Sequence, residues 1–538
     1  MNSAYIESMI KPMSADQIIA TLTKLQASGI NMTAFDMPAI LSVLNITQVQ
    51  GLLASNSTVV NGLLQSLKPA QLYTIVGNFQ NLTSTALITG AKTQDAALIQ
   101  TTESVIALLM KKINSVFLDS QLYGLFSLMS NGAAPGTGSK KMLALATKLI
   151  NGFLGGVVPA SSVSVPERIT KMIAYSQQSI FGDYPTTKDV APSAIFTAIF
   201  FLFAIAHAGI WIKNRSLGHK FNISLGLCFY SLVRALGFLL RIVWAKHTFE
   251  LNVALVSTIF IVIPTSFLPS LNLILAQRYF TWKHPSYGSH KLFQTVMYII
   301  YFLVFAFILM TIVAAAVQTN YFLSAKHYLM TKQVIEASAT LVVLYSAAAT
   351  ALVLFAEFVP KTSQDEHIKT FQPKWIKSFS YNYWVPKNAA TEAANAVPEE
   401  LRDATRIINS TNYHYTTINE EQEEVTEKSS VLSHNSSIFI VAFTTLALFI
   451  ADVFRCVSTY IHQTKAAQSW IFEPVVMYVM FGVLETLINL VYIFGRIDLR
   501  FYKPDSFKAS ATVAAPVSQD SEVASSEASQ EVKEAASA

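Results

Sequence analysis

Charged residues are scarce in this sequence of 538 residues: Asp, Glu, Lys and Arg make up 13%, against roughly 25% in soluble domains. A chain of this length cannot hide that deficit in one core, so much of its surface need not face water. Neither sign of charge dominates, and a formal net charge of +5 supplies no basic field for a nucleic-acid partner. Cysteine is almost missing. Cys228 and Cys456 build no disulfide framework, and their separation fits no metal site. The opening MNSAYIESMIKPMSADQ lacks the basic start and apolar core of a cleavable signal peptide. Catalytic patterns are lacking too: there is no HExxH, no GxSxG elbow and no His, Cys and carboxylate cluster at metal spacing. These absences exclude a cystine-rich secreted protein, a nucleic-acid binder and a disordered scaffold. They also lead us to expect no enzyme, no cofactor and no metal.

What the sequence does have is apolar length, confined to the part after residue 190. A helix crosses a bilayer with about 20 apolar residues, and seven runs qualify: about 191–212, 221–245, 251–276, 292–317, 332–359, 436–459 and 470–495. The fold expected is all-α, a seven-span transmembrane bundle in contact with a lipid bilayer. Residues 1–190 stand before it as a helical extramembrane domain. Residues 361–435 form a long polar loop, and 496–538 a polar, acidic tail. From 504 the tail is Ser/Ala/Glu-rich and has too little apolar surface to fold.

Basic residues set the orientation. Lys213, Arg215, Lys220, Arg278, Lys283, Lys291, Arg496, Arg500, Lys503 and Lys508 flank the spans on one side. Only Lys246, Lys326, Lys332 and Lys465 lie on the other. Positive charge favours the cytoplasmic side, which places the N-terminus outside or in a lumen and the C-terminus in the cytoplasm, in the plasma membrane or an endomembrane. Four sequons, at Asn31, Asn45, Asn56 and Asn81, fall in the N-terminal region and are candidate glycosylation sites on that side. Sequons at Asn214, Asn222, Asn409 and Asn435 fall inside or against the membrane and are read as chance. Trp211, Trp244, Trp282 and Trp470 mark span ends.

The N-terminal region alternates helical patterns with short breaks. Ser14 is a plausible N-cap, and 95–117 carries apolar residues at three- and four-residue spacing. Val49-Gln-Gly-Leu-Leu is echoed by Val60-Asn-Gly-Leu-Leu, which suggests tandem short helices; a lipid-facing amphipathic platform is the alternative. NGAAPGTGSKK (131–141) has Ser139 between Gly138 and Lys140, so it fails as a phosphate-binding loop and reads as a flexible linker. In the long loop, 369–387 interleaves lysines with aromatic rings, and Lys374, Trp375, Lys377 and Trp384 are candidates for contact with anionic lipid. The acidic run 419–428, the rest of that loop and the tail offer surface for a cytoplasmic protein partner.

Polar groups inside the spans carry the functional interest, because an ionisable side chain in hydrocarbon is costly. The candidates are His207, Arg234, Asn272, Asp452, Arg455, Glu485 and Asn489, with Arg241 and Glu336 nearer to water. Arg241, Glu336 and Arg455 lie within about two turns of outer span ends, from which a long side chain can snorkel. Asp452 and Arg455, three residues apart, are expected to pair on one helix face. Arg234 and Glu485 fall near mid-span, where an unpaired charge costs about 2.5–3.5 kcal/mol on insertion scales. They are expected to face the interior and pair, with Asn489 one turn further on. That arrangement is either a static interhelical clamp or part of a polar cavity for a substrate or signal. Pro264 and Pro269 in the third span add a kink.

KFNISLGLCFYSLVRALGFLLRIVWA (220–245), NLILAQRYFTWKHPSYG (272–288), RDATRIINST (402–411), ADVFRC (451–456) and ETLINLVYIFGRIDLRFYKPD (485–505) together resemble a fungal family of multispan membrane proteins of unknown function. Some of its members are labelled G-protein-coupled-receptor-like. The resemblance covers about 190–505 and implies an integral membrane protein, without a ligand or reaction to transfer. Three functions stay open: a receptor- or sensor-like protein, a transporter or lipid translocator using a polar mid-membrane site, and a structural or organising protein.

Overall fold

A computed structural model describes residues 8–29, 37–154, 165–247, 250–363, 365, 376, 378–387, 389 and 435–503. Asn31, Lys374, Trp375, Lys377, the acidic run 419–428 and the tail from 504 lie outside the described residues. Among the described residues the chain is helical and has no strand, apart from an isolated antiparallel bridge between Gln178 and Thr464.

The N-terminal helices are α1 (Ala15–Ala27), α2 (Met37–Ser42), α3 (Ile46–Ala54), α4 (Thr58–Ser66), α5 (Pro69–Thr93), α6 (Ala96–Ser115), α7 (Asp119–Met129), α8 (Ser139–Phe153) and α9 (Glu167–Ser176). Their starts are written in the sequence. Ser14 and Gln17 exchange side-chain and backbone bonds in a capping box, as do Asn45 and Gln48, and Asp95 caps α6. Ile18, Val49, Ile75, Val105 and Phe153 belong to one apolar core built from this region alone. Polar side chains that enter it are matched to helix-end carbonyls. Gln121 Nε2 donates to the carbonyls of Leu64 (2.9 Å) and Leu67 (2.7 Å), and Lys112 Nζ donates to that of Ser55 at 2.9 Å. The echoed pentapeptides fall on α3 and α4, but their glycines differ. A methyl on Gly51 would meet Ala15 Cβ at 2.4 Å, whereas Gly62 has nothing within 4 Å.

Segment 131–138 is not the flexible linker that its composition suggests. Gly132, Gly136 and Gly138 adopt positive φ, which bends the chain against the turn between the fourth and fifth spans. There Ala134 N–H donates to the Leu323 carbonyl (2.8 Å) and Gly138 N–H to that of Gln318 (2.7 Å). A side chain at Gly138 would collide with Phe322.

Among the described residues, seven helices are long and apolar enough to cross a membrane. They are α10 (Val190–Ser216), α11 (Asn222–Lys246), α12 (Leu251–Lys283), α13 (Lys291–Asn320), α14 (Ala325–Phe358), α15 (Asn435–Tyr460) and α16 (Pro474–Phe494). The last is α-helical at Pro474–Met477, π-helical at Tyr478–Leu484 and α-helical again from Glu485. Burial separates their roles. The apolar stretch of α11 is 56% buried against 17% for α13, so α11 is the centre of the bundle and α13 a lipid-facing wall. Phe302 and Tyr298 on α13 stand out from the protein, as rings in a bilayer do. Inside a membrane, close backbone approach replaces hydrophobic expulsion as the source of packing. Gly237 of α11 supplies it: a methyl there would sit 3.1 Å from the Phe260 carbonyl of α12, and Ser257 donates to the Gly237 carbonyl at 3.1 Å.

The spans alternate in direction. The N-terminal helices share one end with the α12 start and the α13–α14 and α15–α16 turns: Lys140 reaches Asn252 (3.0 Å), and Ser179 N–H donates to the Gln463 carbonyl (2.8 Å). The α10–α11 turn, the end of α12, the start of α15 and residues 496–502 gather at the opposite end.

Candidate functional site

Buried charge meets helix α16 and its exit at three depths. At the end nearest the N-terminal helices, Asp189 accepts from Arg241 Nη2 (3.0 Å) and from the Tyr478 hydroxyl (3.1 Å), and Tyr478 also bonds Ser193 at 2.7 Å. Arg241 is 1% exposed. The expectation that it snorkels is therefore corrected: residues 182–189 fold over the start of the bundle, and Arg241 finds its carboxylate there and also donates to the Gly182 carbonyl.

At mid-depth Arg234 and Glu485 form a two-pronged ion pair, with Arg234 Nε donating to Glu485 Oε2 at 2.7 Å and Nη2 to Oε1. Tyr230 donates its hydroxyl to the same carboxylate. The remaining guanidinium nitrogen, Nη1, donates to the Ile261 carbonyl at 2.6 Å, in the turn of α12 that Pro264 disturbs. The ring of Phe481 lies 4.9 Å from the guanidinium. One turn on, Asn489 donates to the Glu485 carbonyl (2.7 Å) and bonds His207 Nε2 (3.1 Å). The π-helical segment ends directly at Glu485. Its Gly482 admits the Phe196 ring, which a methyl would meet at 2.5 Å.

At the far end Asp498 takes Arg496 Nε (3.0 Å) and Nη2 (2.8 Å) and the Asn214 amide (2.8 Å). Burial by itself would raise this carboxyl. The Arg496 hydrogen bonds and charge, with Asn214 and His219, outweigh it and hold the acid below the usual carboxylate range. Arg496 also donates to the carbonyls of Tyr381 (2.8 Å) and Tyr383 (2.7 Å), and its guanidinium covers the Trp384 ring at 4.7 Å. Trp384, read from the sequence as a lipid contact, is half-buried here with one ring face taken by Arg496.

The other candidates lie on α12, α14 and α15. Asn272 is fully matched: it donates to Thr445 (2.9 Å) and accepts from Thr444 (2.9 Å) and Tyr492 (2.8 Å). Asp452 and Arg455 do not pair. Asp452 accepts from Ser346 on α14, and Arg455 Nη1 donates to Thr265 on α12 at 2.6 Å. Both face neighbouring helices, and Arg455 is buried, which also corrects the reading that it snorkels. Glu336 meets His462 at 2.7 Å near the end beside the N-terminal helices.

A cavity of about 570 Å³ opens where the N-terminal helices meet α12, α13, α14 and α15. That volume suits a small-molecule site. Ile259, Val262, Ile308 and Ile312 form apolar wall, and Lys171, Lys332 and Arg455 bring charge to it. Neither Arg234 nor Glu485 lines it. Sequence reasoning missed this site because its walls come from segments more than 300 residues apart. It also missed Asp189, whose only signal is an acidic residue just before an apolar run.

Residues 285–502 match the model of a family described only as a protein of unknown function, DUF3112. The matched stretch takes in α13 to α16 with Asp452, Arg455, Glu485 and Asp498, and leaves out α10 to α12 and the N-terminal helices. No curated protein and no solved structure matches the chain. Among the described residues, no three His, Cys, Asp or Glu side chains gather as a metal site.

Proposed function

We propose that this multispan membrane protein is a receptor- or sensor-like seven-helix protein without catalytic activity, whose ligand occupies the cavity beneath the N-terminal helices. The observation that carries the reading is the separation of the Arg234–Glu485 pair from the open volume, which that pair does not line. The mid-membrane charges are enclosed and hydrogen-bonded, as an interhelical clamp requires, while the open volume lies at the end covered by the N-terminal domain. A transporter working through a polar mid-membrane site needs the reverse. The receptor-like label within the family that the sequence resembles agrees with this choice. The N-terminal helices are also bonded to two span-connecting turns, so a ligand held between them and the spans can alter how those turns sit.

In this reading the N-terminal domain lies outside or in a lumen. Asn45, Asn56 and Asn81 are exposed on it, and Asn45 caps α3 through Oδ1, which leaves Nδ2 for a glycan. Asn214 is buried against Asp498. Endoglycosidase treatment of protein from the native host is expected to shift its mobility, with the shift shrinking as Asn45, Asn56 and Asn81 are replaced by Gln. An unchanged mobility in the untreated triple variant removes this support for the orientation. The loop 361–435 and the tail then face the cytoplasm, available to anionic lipid and to a protein partner.

The test of the cavity is Ala315→Trp, which places an indole in its wall. Native mass spectrometry of protein taken from its own membrane is expected to find a bound small molecule that is lost in A315W, while Tm stays within a few degrees. An equal load of that molecule on both proteins would defeat the assignment.

A further inference from the structure

We infer that the cavity takes a single-chain anionic amphiphile, its tail along the α12–α13 wall and its acidic head on Arg455; this rests on the cavity being the ligand site. The cavity wall has three cations, Lys171, Lys332 and Arg455, and among the described residues that line it no Asp or Glu. A buried guanidinium normally meets a carboxylate. Asp452, three residues before Arg455 on α15, takes the Ser346 hydroxyl and acts on that arginine through its charge without a hydrogen bond, and Glu336 on α14 meets His462. Arg455 spends one donor on the neutral Thr265 hydroxyl, and no ion pair joins it to an acid among the described residues. The fork of a guanidinium matches the planar oxygens of a carboxylate or phosphate and binds either through paired hydrogen bonds. Lys332, with its nitrogen 5.7 Å from the Tyr328 ring, stands on α14 across the same space. The rest of the wall mixes aliphatic and aromatic side chains with Ser, Thr and Gln, and most of its exposed area is apolar, which a free inorganic anion would leave unmatched. An uncharged hydrocarbon would leave the guanidinium fork of Arg455 without paired acceptors.

The full chain in phosphatidylcholine nanodiscs, titrated with parinaric acid and separately with its methyl ester, reads the inference directly from probe fluorescence, with empty nanodiscs subtracted. The acid is expected to bind at least tenfold more tightly than the ester. Arg455→Gln is expected to weaken the acid tenfold or more and the ester by less than twofold; K332Q should weaken the acid alone by a smaller factor. Stearic acid and octadecyl phosphate then compete, and whichever displaces the probe at lower concentration names the head group. Equal binding of acid and ester, or unchanged acid binding in both R455Q and K332Q, overturns the anionic assignment and leaves the cavity as a site for a neutral ligand. Binding of neither probe overturns both readings. Ester binding by R455Q serves as the folding control.

Discussion

Replacing Glu485 by alanine is expected to destabilise the protein by about 3–5 kcal/mol, the cost of stranding one charge of a buried pair. Arg234 would be left at mid-span with its Ile261 bond alone, and Tyr230 would lose its acceptor. Arg234→Ala should cost a similar amount, because the carboxylate then keeps only the tyrosine. The two losses are not additive. The sharper experiment removes the whole group: R234M, E485L and Y230F together take out every charge and the orphaned hydroxyl. Buried pairs replaced by well-packed apolar residues are often neutral or more stable, so the triple variant should recover most of what either single variant loses. Urea or thermal unfolding in detergent measures this. A triple variant no more stable than E485A would show that the network does more than balance charge.

The second large effect is at the other end of α16. Asp498→Ala leaves the buried Arg496 without its two-pronged partner and should cost about 3–5 kcal/mol as well. D498N adds a pH test. The Asp498 carboxyl is held below its ordinary range, so it binds fewer protons when folded than when unfolded. Its stabilisation is therefore fully present above the unfolded pKa of about 3.9 and is lost as pH falls through the folded value. The stability difference between native protein and D498N should be constant from neutral pH down to that point and shrink below it. A difference that shrinks between pH 8 and 6 instead would place the titrating group elsewhere.

How much of this was legible follows from what sequence distance hides. The spans read directly because apolar length needs no knowledge of partners, and the capping of α1 by Ser14 is a contact three residues long. Arg234 and Glu485 were legible as partners because mid-span charges have few alternatives. Arg241 and Arg455 were not, since depth was judged from the ends of apolar runs. The helices that carry them end within a residue of those runs, but residues 182–189 cover the end where Arg241 was expected to meet water, and Arg455 turns to Thr265 on α12. The ordered 131–138 turn was missed because glycine and small residues signal bending without saying what the bend rests on. The cavity was invisible because it belongs to no segment.

The three charge layers divide the bundle mechanically. Asp189 with Arg241, Arg234 with Glu485, and Asn214 with Asp498 tie α10, α11 and α16 together at both ends and the middle. Sliding any one of these helices by a single turn would break two of the three ties together. These helices therefore behave as a rigid frame. The walls of the cavity belong chiefly to α12, α13, α14 and α15. Of these, α14 has charged ties of its own, Glu357 to Lys283, Ser346 to Asp452 and Glu336 to His462, whereas α13 meets its neighbours through neutral pairs, Tyr301 with Gln277 and Thr311 with Ser338. Any movement a ligand provokes should be carried by α13, pivoting against the frame.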